Sequence, residues 1–250
     1  MLDNHIIIKR ETFKEQAYFD EQVMYNDDML LKFKETIANN NTTPEHRRRL
    51  RHTVFRRQVE QLILRYSQGE TVSVIRDDFP AIVSALSAYQ AEPGYSPHNF
   101  AEFDAYIYGI WLVSLAILLD VEDKIFNDLL AELGNRGRDA LYERLVALRI
   151  SGGPQISTLM YPKPYQFLFD ALDSTGDEQA SLIMQFLKTY YKGMKKAYWH
   201  DSHLGKDAGF FGYWCFELAA FVKKLKIDDH TFVENIFYPV DLVKYESQKD

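Results

Sequence analysis

Apolar residues recur at three- and four-residue intervals along nearly the whole chain, a period that predicts helices. The clearest stripe is Leu50, Val54, Phe55, Val59, Leu62, Ile63 and Tyr66. Thr43 precedes it as an N-cap, Pro44 suits the first helical position, and Gly69 supplies the stop. An earlier helix, from about Lys9 to Ala38, is predicted to bury Phe13, Ala17, Met24, Leu31 and Phe33. Asn39-Asn40-Asn41 breaks it. Downstream, Phe79, Ile82, Val83, Leu86 and Tyr89 predict a short helix that Pro93-Gly94 stops. Helices over 106–119, 125–133 and 140–150 follow, the last two separated by Gly134 and Gly137. Ser151-Gly152-Gly153-Pro154, with Pro162 and Pro164 beyond it, is the densest group of breakers. Thr175 and Glu178 have capping-box spacing ahead of a helix through Tyr190, and a final helix is expected over 210–225. Thr71-Val72-Ser73-Val74-Ile75 alternates as a strand does, but it stands alone. The pattern predicts an all-α protein of two packed helical halves, residues 1–135 and 136–250.

A weak internal repeat supports that division. Aligning Gly109 on Gly212 places Trp111 on Trp214 and Leu115-Ala116 on Leu218-Ala219. An insertion of 3 residues then brings Val121-Glu122-Asp123 onto Ile227-Asp228-Asp229. The matched residues are ones that pack rather than react, which points away from a one-site enzyme.

Composition adds three constraints. With 17 Phe, 16 Tyr and 3 Trp, large flat side chains carry much of the expected core. The single cysteine, Cys215, excludes an internal disulfide framework and fits a reducing compartment. The richest apolar run, Ile110 to Leu119, is about half a membrane span, so a soluble cytoplasmic protein with no membrane partner is expected. The net charge of −7 is unevenly placed: residues 67–135 hold 11 acids against only Arg76 and Lys124. Residues 41–65 lean the other way, with 7 arginines against Glu45 and Glu60. The acid excess disfavours nucleic acid as a direct ligand and suits a basic protein partner.

Candidate chemistry is sparse. His200 and His203 flank Asp201, but no further ligand pair completes a zinc set, so a polar surface loop is the preferred reading and no metal or cofactor is expected. Arg47 and His52 have the Arg-x4-His spacing of all-α HEPN ribonucleases, in which the arginine stabilises phosphate charge and the histidine moves a proton. An ion-paired basic helix face explains the same residues more simply. Glu217, among Trp214, Phe216 and Phe221, is either a carboxyl with a raised pKa or a structural partner for an arginine or tyrosine. No phosphate loop, nucleophile elbow or Ser/His/Asp set is present.

The C-terminal motif carries a resemblance. Phe211-Gly212-Tyr213-Trp214-x-Phe216-Glu217-x-Ala219-Ala220, then Lys224, Ile227-Asp228-Asp229 and Phe237-Tyr238-Pro239-Val240-Asp241-Leu242, resembles the C-terminal domain of the PoNi immunity proteins. The stretches around Tyr66-Ser67-x-Gly69-Glu70 and over Tyr108–Asp123 are similar to that family's first domain. The resemblance implies a cytoplasmic antidote to a PoNe polymorphic DNase, delivered through type VI or other secretion systems. Its partner would be the cognate DNase effector, it would have no turnover of its own, and it is compatible with a homodimer. The expected structural motif is Gly109, Trp111, Gly212, Tyr213, Trp214, Glu217, Asp228 and Asp229. The expected partner-binding carboxylates are Asp77, Asp78, Glu92, Glu102 and Asp104, with Asp201 and Asp207 as a second acidic edge. The alternative function is the HEPN-like ribonuclease using Arg47 and His52.

Overall fold

The computed structural model describes residues 8–205 and 209–247. It is all-α: among these residues there is no strand, and the helices gather into two compact units. Unit 1 comprises Met1–Pro97 with Asp201–Gly212, and unit 2 comprises His98–His200 with Tyr213–Asp250. These units interleave along the chain.

Unit 1 contains α1 (Gln16–Ala38), α2 (Pro44–Gln68), α3 (Val72–Gln90) and a 3₁₀ turn over Ser202–Leu204. Helix α2 packs against both α1 and α3. Its boundaries follow the sequence signals. The Thr43 hydroxyl accepts from His46 N at 3.3 Å, Pro44 opens the helix, and Gly69 closes it at φ 111°. Arg10 completes that end, donating to the carbonyls of Tyr66 (2.9 Å) and Glu70 (2.8 Å). The α1–α2 contact includes a polar cluster: Asn26 bonds Gln61 and Arg57, and Gln61 donates to Asp27 at 2.8 Å. Helix α3 begins at Val72, so the strand-like run becomes its first turn.

The predicted inner stripe of the first helix does not face the core. Met24 and Leu31 are exposed, Phe13 lies ahead of the helix, and the buried residues are Phe19, Asn26 and Leu30. Spacing alone finds a stripe; which side meets α2 is decided by the hydrogen-bonding residues on the other side.

Unit 2 holds α4 (Phe103–Leu118), α5 (Asp123–Leu133), α6 (Ala140–Ala147), α7 (Pro162–Ala171), α8 (Gly176–Gly193), α9 (Phe216–Leu225) and α10 (Val240–Lys244). Helix α4 is buried on every side from Tyr106 to Leu118 and packs against α5, α6 and α9. Gly109 lets the Phe100 ring lie against it, since a Cβ there would stand 2.5 Å from Phe100 Cε1. No described helix is long and apolar enough to cross a membrane. Pro162, read as a breaker, instead starts α7, where a missing N–H costs nothing. Thr175 precedes α8 without a side-chain cap bond, so the capping box does not form. The motif helix starts only at Phe216. Gly109 lies inside a helix, whereas Gly212 sits at φ 117° in the extended stretch before α9, so the aligned glycines have different backbone roles.

Candidate partner-binding surface

The expected carboxylates divide by environment. In unit 1, Asp77 is open, with its side chain 78% exposed, and Asp78 is half-open and bonded to Arg65 at 2.6 Å. Glu92 is different: its side chain is 8% exposed and gripped by Arg51 (2.5 Å) and Arg47 (3.1 Å). Burial opposes its ionisation, yet hydrogen bonds from Arg51 and Arg47 hold its pKa below the ordinary value. It is a structural clamp and offers no free charge to a partner. Asp201 is exposed in the left-handed conformation at φ 63°, ahead of the 3₁₀ turn. Asp207 lies outside the described residues. In unit 2, Glu102 is exposed just before α4, and Asp104 accepts from the Tyr198 backbone N–H at 3.0 Å.

Much of the arginine run on α2 is engaged within unit 1. Arg48 donates to Pro93 O at 2.8 Å, Arg56 meets Glu60, and Arg57 donates to Asn26 at 2.6 Å. Arg47 Nε is directed at both Glu92 oxygens, while the His52 ring packs on Tyr89 with centroids 5.0 Å apart. Five residues of α-helix turn through about 140° beyond a full revolution, so the two side chains leave α2 in different directions. His200 stacks on Tyr191, the His203 ring lies tilted against Phe13, and the described residues contain no group of three or more metal-ligating side chains.

Among the motif residues, Trp111, Tyr213, Trp214 and Glu217 lie in the interior of unit 2. Trp111 stacks on Trp199 with centroids 5.6 Å apart, and the Trp214 carbonyl accepts from Tyr190 OH at 2.8 Å. Tyr213 is buried beside Trp199. Asp229 accepts from Tyr238 OH at 3.0 Å, and Asp228 pairs with His230 at the surface. Cys215 is buried, and burial pushes its thiol pKa well up.

Two carboxyls lie deep in this unit and differ in kind. Asp139 caps α6: it accepts from Tyr142 N (2.8 Å), Met160 N (2.8 Å) and Tyr106 OH (3.1 Å). Burial still raises its pKa, against those hydrogen bonds. Glu217, in the first turn of α9, is wholly buried, and neither oxygen hydrogen-bonds another described residue. Burial pushes its pKa up to about 8, opposed only by its own backbone N–H. The groups facing it are Tyr106 from α4, Tyr165 from α7, Tyr190 from α8 and the Cys215 thiol. None is a cation, so the arginine partner considered from sequence is absent there among the described residues.

Two family models match the chain: PoNe immunity protein (PoNi), N-terminal, over residues 10–131, and PoNe immunity proteins (PoNi), C-terminal, over 137–242. The chain belongs to the PoNi family. Membership implies an immunity protein against a PoNe nuclease effector. The fold is similar to the crystal structure of protein PA2201 from Pseudomonas aeruginosa, with a TM-score of 0.72 at 15% identity over 96% of this chain and 91% of that one. No curated protein matches the chain.

Of the PoNi motif residues, Trp111, Tyr213, Trp214 and Glu217 are buried. Sequence reasoning overlooked the outward side of α1, where exposed Met24 and Leu31 sit among Glu21, Asp28 and Glu35. The signal was present as a seven-residue apolar interval with acids between, which was assigned to the core.

Proposed function

We propose that this chain protects the cell that makes it by binding its cognate secreted DNase in the cytoplasm and blocking the enzyme by direct contact. The observation that carries this reading is the paired match to both PoNi domains over 10–131 and 137–242. A DNase holds phosphates with basic residues around its active site. An inhibitor that presents carboxylates there competes with DNA for the same positive potential and speeds encounter. Exposed acids such as Asp77 and Glu102 are available for this, and Asp78 retains one open side. The buried Cys215 and the lack of any need for a disulfide fit a reducing compartment.

Co-expression with the nuclease domain encoded beside it tests the proposal. Survival of the cells and co-purification of a stable complex are the expected results. Cell death without complex formation refutes it. His52→Ala is expected to leave protection intact, whereas a ribonuclease would lose its activity.

A further inference from the structure

Helix α1 carries an apolar ridge that the fold leaves uncovered. Ala17, Met24 and Leu31 recur every seven residues, so each projects within about 20° of the next on the helix surface. Met24 is 71% exposed and Leu31 58%. The opposite side of α1, through Phe19, Asn26 and Leu30, makes the contact with α2. Neither Met24 nor Leu31 is needed for that contact.

Charge on α1 is sorted with the ridge. Its acids, Asp20, Glu21, Asp27, Asp28 and Glu35, all project within about 60° of the Met24 direction, whereas Lys32 and Lys34 lie about 80° to either side. Asp20 and Asp27 are bonded at the α2-facing edges, by Gln68 and Gln61. Glu21, Asp28 and Glu35 are exposed and bond no other described residue. A solvated helix face needs no large apolar side chains at its centre, and apolar anchors ringed by charge are the anatomy of a protein interface.

We infer that this face of α1 is where the cognate nuclease docks, with Met24 and Leu31 as anchors and Glu21, Asp28 and Glu35 opposing cationic residues that otherwise hold DNA. The inference rests on the immunity reading above. Charge selects the occupant. Nucleic acid is repelled by this face, and a second copy presenting the same face opposes like charges. A basic protein surface with an apolar recess complements both features.

The test uses the full chain and a catalytically inactivated nuclease domain, with affinity and association rate measured at low and high salt. Met24→Ala with Leu31→Ala is expected to weaken binding about 30-fold, about 2 kcal/mol at tenfold per 1.4 kcal/mol. Glu21→Lys with Asp28→Lys and Glu35→Lys is expected to slow association about tenfold or more and flatten its salt dependence. Both variants alter exposed positions, so thermal unfolding should match the parent and separate loss of binding from loss of fold. Variants that bind within about threefold of a tightly binding parent overturn the α1 assignment and leave the immunity reading standing. A parent that neither binds nor protects overturns both. A parent dimer that the double alanine variant splits assigns the face to self-association and overturns the docking proposal.

Discussion

Replacing Glu217 by glutamine should remove a pH-dependent weakness built into unit 2. The side chain is wholly enclosed, faced by tyrosines and a thiol, and its carboxyl is lifted from 4.5 to about 8 by burial. Helix α9 begins at Phe216, so the dipole favours a negative charge at Glu217, but that effect of about 1 kcal/mol is small beside full desolvation. The folded state therefore holds this proton more tightly than the unfolded chain does. Stability from this group is fully present below the unfolded pKa and is lost as pH rises through about 8. The whole difference is about 5 kcal/mol at about 1.4 per tenfold, of which about 2 falls between pH 6 and pH 8. Glutamine has nearly the same shape and cannot ionise. Glu217→Gln should thus match the parent near pH 5 and exceed it progressively up to pH 8. Trp111, Trp199 and Trp214 all lie in unit 2, so denaturant unfolding followed by tryptophan fluorescence at pH 5, 6, 7 and 8 reads the relevant unit. Parallel pH profiles for parent and variant would refute the reasoning, because they would mean Glu217 titrates alike in both states.

Glu92→Gln should destabilise unit 1 by about 2 kcal/mol, less than for a fully buried pair because Arg47 and Arg51 are about one-third exposed. Because Glu92 is held below its ordinary pKa, its contribution is present above that value and fades as pH falls through the folded one. Urea unfolding by circular dichroism at pH 7 and pH 3.5 should show a parent–variant gap at the former that narrows at the latter. Gly109→Ala should cost about 1–3 kcal/mol, since its Cβ would meet the buried Phe100 ring at 2.5 Å; an unchanged melting temperature would contradict that packing. Lys223 donates to the carbonyls of Leu118 (2.6 Å), Tyr245 (2.6 Å) and Leu242 (3.1 Å), even though burial pulls its pKa down to about 8. Lys223→Met should cost about 3 kcal/mol by leaving those acceptors unpaired, and hydrogen exchange should rise first in α10.

The helices were legible where local signals and packing agree. Thr43, Pro44 and Gly69 bound α2 as their chemistry requires, and its apolar stripe is buried as the period predicts. Reading failed where one residue type serves two ends. Pro162 can stop a helix or start one, and only the chain geometry around Tyr161 selects the start. The candidate surface was half legible. A local acid excess is visible in any sequence count, but whether an acid is free depends on its partner, and Glu92 meets its two arginines from about forty positions away.

By itself, the sequence determined the helical class, the aromatic core, the absence of recognisable catalytic sets and the family motifs, because periodicity, composition and motif spacing are local properties. Only the tertiary structure decided which side of each helix is inside. On α1, a hydrogen bond from Arg57 and one from Asn26 to Gln61 hold Asn26 inward and leave Met24 and Leu31 outward, against the apolar pattern. The tertiary fold likewise buried Glu217 with no cation beside it among the described residues, and so lifted its pKa. Burial and ion pairing are set by residues far apart in the chain, and no local pattern encodes them.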